Sequence, residues 1–143
     1  MFGLFLLILF TGCAGPPNNH AIVWSRDLAY AEPLWRAELA YHGHTDVLIV
    51  VCHGNKRQSD GAWIFTPDKP FPRRTVQEVV DFLLDINPKQ TIALLTCNPG
   101  GSRLSLTKPG ATVLYATTDL WAVPGTGPPG KADRACELVV ARP

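Results

Sequence analysis

Asp46-Val-Leu-Ile-Val-Val-Cys-His53-Gly54 is an apolar run that ends in a histidine and a glycine. Thr91-Ile-Ala-Leu-Leu-Thr-Cys97-Asn-Pro-Gly100 repeats this pattern with a cysteine in the corresponding place. Short, uniformly apolar runs are typical of parallel strands that are buried on both faces of a sheet. The side chain at the end of such a strand lies at the rim of the sheet. A thiol and an imidazole at the ends of two strands therefore indicate the site of a cysteine hydrolase.

The segment between these two runs predicts a helix that crosses from one strand to the next. Thr75 and Glu78 have the spacing of a capping box, which satisfies backbone donors at a helix start. Apolar residues then recur at helical spacing, at Val76, Val79, Val80, Leu83 and Leu84. Asn87-Pro88 ends the helix, because proline disfavours helical geometry in the residue before it. A strand–helix–strand unit of this length is parallel, so His53 and Cys97 are expected at the carboxyl-terminal edge of the sheet, where ligands bind.

Further elements on both sides of this unit complete the pattern of an α/β domain. Strands are predicted at residues 21–24, 61–66, 111–118 and near 137–140, and residues 55–60 are predicted to be a loop. Pro33 delays the start of a first helix to about residues 32–36, and His42-Gly43-His44 marks its end. These elements predict one domain over residues 21–143. Its expected fold is a minimal three-layer α/β sandwich with a mainly parallel central sheet.

The composition fits one compact domain and argues against a nucleic-acid partner. Of the 143 residues, 46% are hydrophobic and 17% are charged, so the chain can bury a core and is not disordered by composition. Its 13 basic and 12 acidic residues give a formal net charge of +1. Phosphate binding depends on clustered excess lysine and arginine, which this balance does not supply. We therefore predict no binding to nucleic acid.

The N-terminal residues have the pattern of an export signal. Residues 2–10 form an apolar run that is shorter than the about 20 residues of a membrane span but matches the core of a signal peptide. The run ends in Phe10-Thr-Gly-Cys13, which resembles the lipobox of bacterial lipoproteins. The resemblance implies a signal peptide at residues 1–12, a lipid on Cys13, a tether at residues 13–20 and a protein anchored to the membrane of a cell envelope, facing the periplasm or the exterior. An apolar N-terminal strand with an incidental cysteine is the alternative.

The number of cysteines favours one free thiol in the folded domain. With Cys13 set aside for lipid, Cys52, Cys97 and Cys136 remain, and an odd number leaves at least one thiol unpaired. An oxidising compartment would permit a disulfide. We expect Cys97 to be free, with Cys52 and Cys136 either buried singly or bonded to each other. Strand alternation places Cys52 on the face opposite to His53, which favours a position in the core.

The order of these motifs resembles that of caspase-like cysteine peptidases, the group that includes caspases, metacaspases, gingipains and legumain. The shared order is an apolar strand, His53-Gly54, a loop, a small strand, a helix, an apolar strand and Cys97. Residues 111–118, followed by Trp121, are similar to the strand after the catalytic cysteine of caspases, whose end lines the substrate cleft. Caspases usually have alanine before the catalytic cysteine, whereas Thr96 precedes Cys97 here.

The resemblance implies a cysteine endopeptidase that hydrolyses peptide bonds through a thioester intermediate. It assigns Cys97 as the nucleophile and His53 as the acid and base. It also implies an oxyanion hole from the backbone N–H groups of Gly54 and Cys97. Polar and aromatic side chains are candidates for the substrate pocket, at Asp60, Asp119 and Trp121. The implied partner is a peptide or protein substrate, and the chemistry calls for no cofactor or metal.

Other interpretations of the same residues remain open. Such a fold persists in some proteins as a binding module without catalysis, so the alternative is a non-catalytic envelope lipoprotein that binds a peptide or protein partner. A zinc site from His42 or His44 with His53 and Cys97 is a further rival, although the spacing matches no recognised ligand pattern. A histidine at a strand end and a cysteine after an apolar run are also common as structural residues.

Overall fold

A computed structural model describes residues 20–143 of the chain. The predicted signal peptide, most of the tether and the lipidation residue Cys13 lie outside the described residues, so those assignments stay predictions. The described helices and strands are, in chain order, β1 (Ala21–Val23), α1 (Ala31–Tyr41), β2 (Leu48–Val51), β3 (Gly54–Lys56), β4 (Trp63–Phe65), α2 (Val76–Ile86), β5 (Thr91–Leu95), β6 (Thr112–Tyr115) and β7 (Val139–Ala141).

The described strands form a central sheet of five strands and a separate two-stranded ribbon. The central sheet has the order β1-β2-β5-β6-β7. Its first four strands are parallel and β7 is antiparallel to β6. β3 and β4 form the antiparallel ribbon. The prediction of an α/β fold with a mainly parallel central sheet is therefore confirmed.

The two helices lie on opposite faces of the central sheet, which produces three layers. Trp35 and Leu39 of α1 pack in one buried cluster with Val51 and Leu95. The buried residues of α2 pack in a second cluster with Val50 and Leu94, which alternate with the first pair along the same strands. Both clusters exclude water, and burial of apolar surface of this kind is the main force that holds such layers together.

The helix α2 has the start and end that its sequence predicts. The Thr75 hydroxyl accepts a hydrogen bond from the Glu78 backbone N–H at 3.1 Å, and the Glu78 carboxylate accepts one from the Thr75 N–H at 3.1 Å. The helix ends at Ile86, before Asn87-Pro88. The first helix begins at Ala31, so Pro33 lies in its first turn, where a missing N–H is tolerated.

The prediction of a loop between β2 and β4 is wrong in part. Residues 55–60 were expected to be a loop, but Asn55 and Lys56 belong to β3 and pair with Ile64 and Trp63 of β4. The pairing of backbone groups with the buried strand β4 stabilises this polar segment in an extended form, whereas its side chains are exposed. The polar composition of residues 55–60 indicated a loop. The prediction failed because composition carries no information about a neighbouring strand with which the segment can pair.

The three cysteines of the described region are all free. Cys52 is fully buried, as strand alternation predicted. Burial is the main cause that raises the pKa of its thiol from 9.0 to about 11. Cys136 is exposed, so the expectation that it is buried or bonded to Cys52 is wrong. It lies in a short 3-10 turn on the surface, and the core position of Cys52 keeps the two thiols apart.

Candidate active site

The register of β2 and β5 determines where His53 and Cys97 lie relative to each other. Val51 pairs with Leu95 at the end of the two parallel strands. His53 and Cys97 each lie two residues beyond this last pair of their strands. Both side chains then point to the same face as Val51 and Leu95, which is the face covered by α1. His53 and Cys97 line one cleft of about 370 Å³ at this edge of the sheet.

His53 is held at both its backbone and its ring by the segment that follows β1. Its backbone N–H donates to the hydroxyl of the fully buried Ser25 at 2.8 Å. Its ring Nε2 lies 2.8 Å from Oδ2 of Asp27. A carboxylate accepts hydrogen bonds only, so Nε2 carries the proton in the neutral ring and Nδ1 is the nitrogen that can accept one.

Cys97 lies in a turn whose backbone is fixed on several sides. Its carbonyl oxygen accepts a hydrogen bond from the Trp63 indole N–H at 2.9 Å. The next residue, Asn98, is fully buried. The Asn98 side-chain amide donates to the carbonyls of Ser102 and Ala116, at 2.8 and 2.9 Å, and its oxygen accepts from the Ser102 N–H at 3.0 Å. The position of the sulfur is therefore determined by the fold rather than by a free loop.

Burial is the largest influence on the acidity of the Cys97 thiol. Burial raises its pKa above the ordinary value, and the charge of Asp119 raises it further, whereas the Leu120 N–H and the charge of Lys131 lower it. The Leu120 N–H donates to Sγ at 3.4 Å. With its pKa raised, Cys97 is a protonated thiol at neutral pH, so a nucleophilic reaction requires a base that removes the proton during attack.

Gly54 allows the start of β3 to approach the Cys97 backbone closely. A Cβ atom at this position would overlap the Cys97 carbonyl oxygen and the Thr96 hydroxyl. The Thr96 hydroxyl is buried and has no hydrogen-bond partner among the described residues. The absence of a side chain is thus required by packing. The expected role of the Gly54 and Cys97 N–H groups in an oxyanion hole stays a prediction.

The three predicted substrate-binding residues differ in their position relative to the cleft. Trp121 lines the cleft beside Cys97. Asp119 forms an ion pair of 3.1 Å with Lys131, which also lines the cleft. Asp60 lies between β3 and β4, is not among the residues that line this cleft, and pairs with Arg57 at 2.8 Å. The hydrogen bond from Arg57 is the main cause that lowers the pKa of Asp60 to about 2.

The histidines of the rival zinc interpretation do not gather around His53 and Cys97. Nε2 of His42 lies 3.2 Å from Oε2 of Glu38, one helical turn earlier. Within residues 20–143, no three His, Cys, Asp or Glu side chains cluster so that they could hold a metal ion. In the same range, neither helix is long and apolar enough to cross a membrane.

The site also includes four residues that sequence patterns did not assign to it: Ser25, Asp27, Asn98 and Lys131. A signal for two of them exists in the sequence, because Ser25 and Asp27 are polar residues that follow shortly after the first parallel strand. Parallel strands end at the same edge of a sheet, so that position is adjacent to the end of β2. Asn98 and Lys131 give no such signal, because an asparagine in a turn and a surface lysine are ordinary.

Comparison with known proteins finds no matching family model, no matching curated protein and no matching solved structure. The function of this chain is therefore inferred from the geometry and chemistry of the cleft.

Proposed function

We propose that this protein is a cysteine endopeptidase of the caspase-like type, with Cys97 as the nucleophile and His53 as the acid and base. One observation carries the proposal: His53 and Cys97, which follow the ends of the paired strands β2 and β5, line the same cleft. Support also comes from the hydrogen bonds that fix the backbone of both residues, since catalytic groups act only when they are held in a reactive geometry.

In the proposed reaction, the Cys97 sulfur attacks the carbonyl carbon of a peptide bond. A C–S bond forms, the thiol proton passes to Nδ1 of His53, and the carbonyl electrons move to the oxygen. The oxyanion collapses, the C–N bond breaks, and His53 gives its proton to the leaving amine. Water then attacks the thioester and gives a proton to His53. The C–S bond breaks, the sulfur recovers the proton, and a carboxylic acid is released.

Asp27 has a positioning role in this reaction. Its hydrogen bond with Nε2 of His53 keeps the basic lone pair on Nδ1 and stabilises the imidazolium that forms during attack. Both side chains are about half exposed or more, at 63% for Asp27 and 50% for His53. Solvent screens such a pair, so Asp27 is expected to contribute less to the rate than His53.

The proposal predicts that the full chain cleaves peptides and forms a thioester at Cys97. The test incubates wild type with a synthetic peptide library, identifies products by mass spectrometry, and maps any acylated cysteine after an acid quench. Cys97→Ala is expected to abolish both signals. His53→Ala is expected to lower kcat/KM by about 10²–10⁴, the usual contribution of general acid–base catalysis. Asp27→Asn is expected to lower it by at most about fivefold, the upper effect of an exposed pair, with a changed pH profile.

The matched control for these variants is Cys136→Ala, which removes an exposed thiol outside the cleft. This variant is expected to retain full activity. The proposal is wrong if wild type cleaves no peptide faster than Cys97→Ala does, or if the acyl group resides on Cys136 instead of Cys97.

A second function, binding of a peptide without catalysis, is favoured by one observation. The thiol of Cys97 is part-buried, its pKa is raised, and its sulfur accepts a hydrogen bond from the Leu120 N–H. These features suit a structural cysteine as well as a resting nucleophile. In the same experiment, a binding protein would retain a peptide after gel filtration without producing cleavage products.

A further inference from the structure

The cleft beside Cys97 extends along the segment that follows β6. The Leu120 N–H lies 3.4 Å from the Cys97 sulfur, so this segment runs directly next to the reacting atom. Ala122 and Val123 continue the lining, and Leu28 lies on the α1 side. The volume of about 370 Å³ lies at the lower end of the about 300–1,000 Å³ that is typical of pockets for small ligands. It has room for a large side chain of a bound peptide.

The polar atoms of the two tryptophans in this cleft are already used within the protein. The indole N–H of the fully buried Trp35 donates to the Trp121 carbonyl at 3.0 Å. The indole N–H of Trp121 donates to the Thr126 hydroxyl at 2.8 Å. Because its N–H is already used, the exposed ring of Trp121 presents only carbon to a molecule in the cleft, whereas the ring of Trp35 is buried behind it.

Lys131 and His53, which line the cleft, are also paired within the protein. Nζ of Lys131 lies 3.1 Å from Oδ2 of Asp119, and Nε2 of His53 lies 2.8 Å from Oδ2 of Asp27. An acidic substrate side chain would compete with Asp119 for the lysine. A basic one would be repelled by Lys131. A charge that enters an apolar cleft without a partner loses its hydration at a large cost.

We propose that this cleft binds an uncharged apolar side chain, aliphatic or aromatic, from the residue on the acyl side of the bond that is cleaved. The inference rests on the proposed function, because it specifies the substrate of the same site. Burial of an apolar side chain against Leu28, Trp121 and Val123 stabilises the bound peptide, and one methylene in such a pocket is worth roughly 10- to 200-fold in selectivity.

The first test compares fluorogenic peptides that differ only in the residue before the cleaved bond, which is Phe, Leu, Ala, Asp or Lys. We expect kcat/KM for Phe and Leu to exceed that for Ala by about tenfold or more, and that for Asp and Lys by more. Equal rates across the series, or a maximum for Asp or Lys, would overturn the inference.

The second test changes the charge balance of the cleft without changing its apolar lining. Asp119→Asn removes the partner of Lys131, so the ratio of Asp-peptide to Leu-peptide cleavage is expected to rise by about fivefold, the upper effect of a part-exposed ion pair. The matched control is Asp85→Asn, which removes the partner of Lys108 at 2.9 Å outside this cleft and is expected to leave the ratio unchanged. An unchanged ratio in Asp119→Asn would contradict the assignment of Lys131 to the substrate cleft.

A binding measurement separates this inference from the proposed function. The Cys97→Ala variant of the full chain is titrated with the same five peptides, and tryptophan fluorescence reports occupancy beside Trp121. If wild type cleaves nothing but the variant binds the Phe and Leu peptides most tightly, the peptidase proposal is lost and the apolar preference stands. If the variant shows no such order, the apolar preference is lost whether or not wild type is active.

Discussion

Gly54 illustrates at the residue scale how the absence of a side chain sets the distance between two strand ends. It follows His53 and is the first residue of the ribbon strand β3, and its backbone packs against the carbonyl of Cys97. An added Cβ atom there would displace the backbone of Cys97. Close packing at Gly54 therefore also fixes the position of the Cys97 backbone in the cleft.

The change Gly54→Ala tests this constraint. Its Cβ would overlap the Cys97 carbonyl and the Thr96 hydroxyl, and overpacking of a tight site costs about 1–3 kcal/mol. We expect the free energy of unfolding in urea to fall by this amount, together with any peptidase activity. The matched control is Gly100→Ala, whose added Cβ would meet only the flexible Lys56 side chain, at 3.4 Å. Equal stability of the two variants would contradict the packing that the structure shows around Gly54.

At the scale of elements, the Glu38 carboxylate of α1 holds the C-terminal segment in place. Glu38 is 8% exposed. One of its oxygens accepts a hydrogen bond from the Ala135 N–H at 2.7 Å, and the other lies 3.6 Å from Nη1 of Arg134. The short turn at Ala135–Glu137 leads directly into β7. This carboxylate thus joins the first helix to the last strand, and it lies on the same side of the sheet as the cleft.

Replacement of the Glu38 carboxylate is expected to destabilise the C-terminal segment locally. Glu38→Ala leaves the Ala135 N–H without its acceptor, and an unsatisfied buried donor costs about 1–3 kcal/mol. We expect unfolding free energy to fall by this amount, and amide hydrogen exchange to accelerate at residues 135–141 more than in α2. The control Glu32→Ala removes the ion pair with Arg36, one turn apart on the same helix, and is expected to cost about 0.5 kcal/mol. Uniform acceleration of exchange over all elements would contradict a local role for Glu38.

At the scale of the whole molecule, the free cysteine Cys52 is buried between the central sheet and α2. Cys52 belongs to the second core cluster, together with Trp63, Val80 and Tyr115. Because its folded pKa is raised from 9.0 to about 11, mainly by burial, the native state binds a proton more tightly than the unfolded chain. Its contribution to stability is complete below pH 9 and is lost as the pH rises through about 11.

This linkage predicts how the global stability of the protein depends on alkaline pH. Between pH 9 and about 11, we expect the urea midpoint of wild type to fall more steeply than that of Cys52→Ala, in which the thiol cannot ionise. The absolute stability of Cys52→Ala is expected to be lower, because it loses buried volume, so the slope is the relevant quantity. Cys136→Ala, which removes an exposed thiol, is expected to keep the wild-type slope. Parallel slopes for wild type and Cys52→Ala would contradict a buried protonated thiol.

Much of the architecture follows from patterns that act between neighbours in the chain. The apolar runs before His53 and Cys97 predicted two adjacent parallel strands, and Thr75 with Glu78 predicted the start of α2. These patterns are reliable because a capping box and a strand run depend on side chains within a few residues of each other. The exposed position of Cys136 and the strand β3 escaped prediction, because each depends on what the rest of the chain covers.

The sequence by itself determined the two buried strands, the crossover helix and the edge of the sheet at which His53 and Cys97 lie. Only the tertiary structure decided which groups surround them. Asp27 reaches the ring of His53, and Glu38 reaches the N–H of Ala135 across 97 positions of the chain. The physical reason is that hydrogen bonds and ion pairs between distant residues form only after the apolar layers have packed, so one aspartate among several acquires a partner through its place in the fold.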